Sequence, residues 1–130
     1  MAAGIMDSIL CSVKKLLGYE PEYTEFDPDI LANINAAIFS LRQLGVVSSS
    51  FSVTSETDTY ADLLGADESD IFGEVAMYIY NKTKLGFDPP ANSFVVEAVK
   101  EQIKEAEWRL EIHASSDTFV DTGGGENQNE

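Results

Sequence analysis

Residues 85–110 read LGFDPPANSFVVEAVKEQIKEAEWRL, an abrupt helix stop joined to a long amphipathic helix. Asp88-Pro89-Pro90 ends what precedes it, because proline lacks a backbone donor and pushes the residue before it out of helical geometry. Ser93 then offers an N-cap hydroxyl, and Val96, Val99, Ile103, Ala106 and Leu110 follow at alternating steps of three and four. The spacing predicts a helix from Ser93 to about His113 with one apolar seam. Its outer face carries Glu97/Lys100, Glu101/Lys104 and Glu105/Arg109, acid first, each pair worth roughly a few tenths of a kcal/mol. Phe94, Ala98, Trp108 and Ile112 fall off the seam and point to a second contact surface. Trp108 suits either a core position or the centre of an interface, since tryptophan is enriched in both. No catalytic signature lies in this stretch, which describes packing and assembly rather than a reaction.

Upstream, three further helices are expected. The first runs from about Ala3 or Asp7 to Leu17, with Met6, Ile9, Leu10, Val13, Leu16 and Leu17 on one stripe and Gly18 at its end. Tyr19–Phe26 reads as an ordered connector with aromatic anchors. Asp27-Pro28 supplies an N-cap followed by proline at the first helical position, and Ile30, Leu31, Ile34, Ala37, Ile38, Leu41 and Leu44 continue at helical spacing to Gly45. Val46–Thr59 is rich in serine and threonine, a loop in which only Phe51 and Val53 alternate as a strand would. Tyr60–Leu64 makes a single turn before Gly65. The third main helix begins near Asp67 or Ser69 and ends near Leu85; Ile71, Phe72, Val75, Ala76, Met77, Tyr78, Ile79 and Tyr80 leave it almost no polar side. Such a helix is buried on several faces, in the core or at a subunit interface, with Tyr78 and Tyr80 pointing to different sides. The expected fold is therefore all-α: a small bundle of about four main helices, a long Ser/Thr-rich loop and a flexible C-terminal tail. Residues 1–113 form the helical domain, and 114–130, with Gly123-Gly124-Gly125 and the isolated pair Phe119-Val120, form an acidic tail.

Composition narrows the function. The 130 residues hold 23 acidic against eight basic side chains, a net charge of -15, and 44% apolar residues, enough for one domain with a modest core. Between Lys15 and Lys82 twelve acids face Arg42 alone. That field disfavours duplex DNA and anionic lipid and suits a basic partner surface. Cys11 is single, so neither an internal disulfide nor a multi-cysteine zinc site is possible, and its apolar neighbours make it a small buried hydrophobe. No apolar run reaches membrane-spanning length, and Lys14 and Lys15 follow the first hydrophobic stretch instead of preceding it as in a secretory signal. A cytoplasm-like compartment is expected.

Candidate chemistry weighs toward structure. His113 is the only histidine, a cap near a helix C-terminus sooner than a catalytic base without a partner. Asp27/Asp29 and Asp67/Glu68/Asp70 lie where helix starts want acids and lack the calcium-loop pattern. The three glycines do not join a strand to a helix and so form no phosphate loop. Nothing calls for a metal or a cofactor.

The order of LLG at 16–18, FDPDILANINAAIFSLRQLGV at 26–46, an acid-led apolar helix, and FDPPANSFVVEAVKEQIKEAEWRL at 87–110 resembles the head-tail connector (adaptor) proteins of tailed bacteriophages. Phe87-Asp88-Pro89-Pro90 with Ser93-Phe94, and Glu107-Trp108-Arg109-Leu110, are its most specific pieces, supported by Asn33 and Asn35 before Leu41 and Gly45. The resemblance implies a non-enzymatic, all-helical virion subunit, assembled in the host cytoplasm. It implies a dodecameric ring beneath the portal protein at the head-tail junction, docking the next tail-side protein around a channel that DNA crosses without specific binding. Under it, Phe72, Tyr78, Tyr80, Phe94, Trp108 and Ile112 are candidate subunit-interface residues, and Arg109, His113, Phe119 and Val120 candidate portal contacts. The competing reading is a small acidic regulator or DNA mimic that occupies a basic protein surface.

Overall fold

Ser8 and Gly18 bracket the first helix, α1 (Ile9–Leu17): the Ser8 hydroxyl accepts from the Cys11 amide at 3.1 Å, and Gly18 turns the chain in the left-handed region at φ +99°. Four more helices follow in the computed structural model, which describes residues 4–47, 50–65 and 69–127, and the side chains among these other than 69 and 117–127. They are α2 (Asp27–Gln43), α3 (Tyr60–Leu64), α4 (Ser69–Phe87) and α5 (Ser93–Asn127). The fold is all-α; among the described residues the only β pairing is an isolated bridge between Ser8 and Thr59. The start of α1 at Ala3 and that of α4 at Asp67 lie outside the described residues.

Two expected caps are corrected. Asp27 does not cap α2: Phe26 holds the cap position without a side-chain bond, Asp27 is already helical, and its carboxylate turns to Lys14 at 2.9 Å. Lys14 is 2% exposed, and its Nζ also donates to the Pro21 carbonyl at 2.9 Å. A buried ammonium demands such partners, and that demand outweighs capping. At α5 the cap is Asn92, whose Oδ1 accepts from the Phe94 amide at 2.7 Å and from Val95 at 3.3 Å, while Ser93 is inside the first turn. The expected end of α5 near His113 is also exceeded, since helical backbone continues to Asn127. No proline interrupts this stretch and no seam supports it, and its three glycines each cost about 1 kcal/mol relative to alanine.

The core is built around α4, which packs against α1, α2, α3 and α5. Val75, Tyr78 and Ile79 of α4 are fully buried among Ile9 and Val13 of α1, Ile34, Ala37, Ile38 and Leu41 of α2, and Leu110 of α5. The 18–26 connector is held by rings: Tyr19 stacks on Tyr23 at 5.7 Å, and Phe26 meets Phe87 edge-on at 5.6 Å, tying the start of α2 to the end of α4. Where α2 passes α4, Gly86 leaves room for Asn33, because a Cβ there would overlap the Asn33 Oδ1. The chain reverses after α2 through Gly45, φ +86°, with the Val46 amide donating to the Leu41 carbonyl at 3.0 Å.

The long loop is ordered by a few polar clamps. Asn35 on α2 holds Val53 at both ends of its peptide, donating to its carbonyl at 2.9 Å and accepting from its amide at 2.8 Å, and so draws the Val53 side chain into the core. Asp58 gathers the amides of Thr54 and Ser55, and Thr59 with Asp62 forms a capping box that starts α3. Tyr60 of α3 is buried against Phe72 at 5.1 Å between ring centres.

The two asparagines test this account against each other. Asn35→Ala strands a buried amide and carbonyl and is expected to cost about 2–4 kcal/mol in denaturant unfolding. Asn33→Ala, which loses one exposed bond to the Asp29 carbonyl and the contact of its amide with Gly86, is expected to cost less, no more than about 1 kcal/mol.

Candidate assembly surface

α5 has two faces, and side-chain bonds fix which one points outward. Its seam, Ile103, Ala106 and Leu110 with Val99 half-buried, lies on α4. The Tyr78 hydroxyl donates to Glu107 Oε2 at 2.7 Å, Asn81 Nδ2 to Gln102 Oε1 at 3.3 Å, and the Arg109 guanidinium to Glu74 Oε2 at 2.8 Å. These bonds run along both edges of the seam and set the rotation of α5 about its own axis. Burial, with the bond to Glu107 second, raises the Tyr78 hydroxyl pKa far above its ordinary value. Burial likewise pushes Tyr60 up to about 12, with Asp7 adding to it. The bond to Glu74 raises Arg109 further, so its charge is permanent.

With the seam turned in, the opposite side of α5 leaves Phe94 85% and Trp108 64% exposed, alongside Ala98 and Ile112. One exposed Leu needs no explanation; two aromatic rings and an isoleucine aligned on one helix face do. Of the residues offered from sequence for a subunit interface, these three are open. Phe72 and Tyr80 are half-buried, and Tyr78 is enclosed in the core with no surface to offer a second chain. Among the candidate portal contacts, Arg109 is committed to Glu74, with Glu105 at 3.7 Å, and His113 is half-buried. Phe119 and Val120 lie on α5, but their side chains fall outside the described ones. The expected Glu97/Lys100 pair is present at 3.7 Å, whereas Glu101 and Lys104 form none among the described residues.

The sequence reading passed over Phe39, 49% exposed on α2, while Met77, read there as part of an all-round apolar helix, is 53% exposed on α4. For Phe39 the signal was available, since it falls on the side of α2 opposite Ile34, Ile38 and Leu41. For catalysis the ground is poor. The open groove beside α1 has Asp7, Glu20, Cys11, Ser12 and Lys15 on its walls, but among the described residues no hydrogen bond joins either acid to the thiol or to a serine hydroxyl there. Among the described residues no three His, Cys, Asp or Glu side chains converge as metal ligands, and no helix is long and apolar enough to cross a membrane.

A family model described as phage connector protein matches residues 9–117, from the first residue of α1 into the second half of α5. The chain belongs to the phage connector protein family. No curated protein and no solved structure matches it significantly. The connector family is one of structural virion components that assemble with other head-tail proteins. Membership accounts for a chain whose conspicuous surface is an apolar helix face and not a reactive cleft.

The tyrosines give a pH test of the packing that presents this face. Both are neutral when protonated and hold that proton more tightly folded than unfolded, so their contribution is complete below pH 10 and declines as pH rises through about 12. Tyr60 alone is worth about 3 kcal/mol over that span. Chemical denaturation should show flat stability to about pH 9 and a fall beyond it, and Tyr60→Phe should flatten the slope.

Proposed function

We propose that this connector forms a ring of about a dozen copies beneath the portal at the head-tail junction and presents its far side to the next tail-side protein. The observation that carries this reading is the outer face of α5. The fold spends polar bonds on both edges of the helix to hold that face outward, yet uses none of it. A structural connector has a use for such a face in contacts between subunits. A net charge of -15 fits a wall around passing DNA, because phosphate is repelled instead of held. The role is mechanical and needs no catalysis, cofactor or membrane.

In this reading the end of α5 beyond His113 reaches toward the portal. The four acids of residues 114–130, the lack of bases there and Phe119-Val120 offer a short apolar anchor in an acidic setting, completed by contacts made only in the particle. Trp108 and Phe94 serve the ring.

Purified particles should contain the protein in about a dozen copies, countable by quantitative mass spectrometry, and its absence from mature particles would sink the proposal. Trp108→Ala should leave the melting temperature nearly unchanged, since the ring is largely exposed, while weakening assembly by about 2–4 kcal/mol. Unimpaired assembly of that variant would remove Trp108 from the interface. Truncation after Ser116 should preserve the helical fold and its melting temperature while reducing attachment to portal-bearing heads. Full attachment without those residues would show that they are no anchor.

A further inference from the structure

Arg42 is the only basic residue between Lys15 and Lys82 in a strongly acidic chain, yet no carboxylate among the described residues pairs with it. Its guanidinium instead lies over the half-exposed Phe39 ring, 5.0 Å from the centroid. A cation resting on an aromatic ring at the surface, with its hydrogen-bonding edge unspent, is the kind of pair that anchors interfaces. Around it the outward side of α2 from Ala32 to Gln43 carries no other charge and is low, with Ala32, Ala36 and Gln43 all exposed.

The outer face of α5 has the complementary form. Between Ala98 and Trp108 it carries Glu101, an exposed carboxylate without a basic partner among the described residues. From Ala98 to Trp108 is about 15 Å along a helix, and from Ala32 to Gln43 about 16 Å, so the two faces match in length. Laid antiparallel, Trp108 falls on the low ground of Ala36 while Arg42 reaches Glu101, large against small at one end and opposite charges at the other. Both α2 and α5 pack on α4 through their inner sides and share at most marginal contact with each other, so these outer faces are not spent on one another within a subunit.

We infer that the α2 face of one copy, centred on Phe39 and Arg42, receives the α5 face of a second copy, centred on Glu101 and Trp108. Resting on the connector reading, this names the two halves of its ring contact. Two unlike faces joined head to tail give each subunit one neighbour on either side, the arrangement that a ring requires once the rotation closes, whereas a single self-matching face would stop at a dimer.

Charge exchange in particles tests it. Particles assembled with Arg42→Glu or with Glu101→Arg should hold at least about tenfold fewer copies than wild type, and the double variant, with the pair swapped, should recover most of them. Thermal melting of each purified variant checks that it folds; both sites are on the surface. A second arm replaces Cys11 by Ser and introduces Gln43→Cys with Glu101→Cys. Oxidised particles should then yield a ladder of covalent multimers that neither single cysteine gives. Unchanged occupancy in the single reversals, no recovery in the swap, or dimers from a single cysteine would overturn the pairing while leaving the ring intact. Wild-type particles without the protein would overturn the connector reading and the pairing together.

Discussion

α4 has too little polar surface to stand at the edge of a fold, and the rest of the molecule is arranged to enclose it. Its buried positions, Ile71, Val75, Tyr78, Ile79, Asn81 and Thr83, spread over more than half of its circumference, so α1, α2, α3 and α5 each cover part of it. One consequence is that the other helices need only a single apolar stripe apiece, and their remaining faces are free. In a chain of this size, with a modest core, the division is economical: α4 is covered by all the other helices, and α2 and α5 each keep an exposed outer side.

How the outer faces are aimed depends on polar contacts that periodicity does not reveal. The apolar seam of α5 is readable from Val99, Ile103, Ala106 and Leu110, and so is the existence of an off-seam set. That Tyr78, Asn81 and Glu74 fix the helix by gripping Glu107, Gln102 and Arg109 is a matter of pairs about 21 to 35 residues apart, with no local signature. The same limit explains the misplaced caps. Asp27 has the residue type and position of an N-cap, but the buried Lys14, thirteen residues earlier, takes its carboxylate. Asn92 and Ser93 are both good capping residues, and only the path of the chain after Pro90 decides between them. Tyr78 and Tyr80 could be assigned to different sides of α4 from spacing alone, but which of the two enters the core follows from the position of α5.

The acidity of the chain and the location of its few cations belong together. Lys14 is spent inside the fold, and Arg109, Lys84 and Lys100 are spent on neighbouring carboxylates. Arg42 shares with Lys15, Lys82 and Lys104 the lack of a carboxylate partner among the described residues, but it is the one basic residue on α2, and in an acidic field that marks the α2 face. In the proposed ring, an overall negative surface would keep DNA moving and free subunits apart, while a few placed contacts would select the intended neighbour. Affinity would then come from the aromatic residues and selectivity from the single cation.

The central claim is that the outer face of α5 is held open by the fold in order to be covered by assembly. Hydroxyl-radical footprinting of the free protein and of intact particles measures it directly. The account requires that Phe94 and Trp108 be reactive in the free subunit and strongly protected in particles, with the enclosed Tyr78 unreactive in both. Equal reactivity of Trp108 in the two states would contradict it.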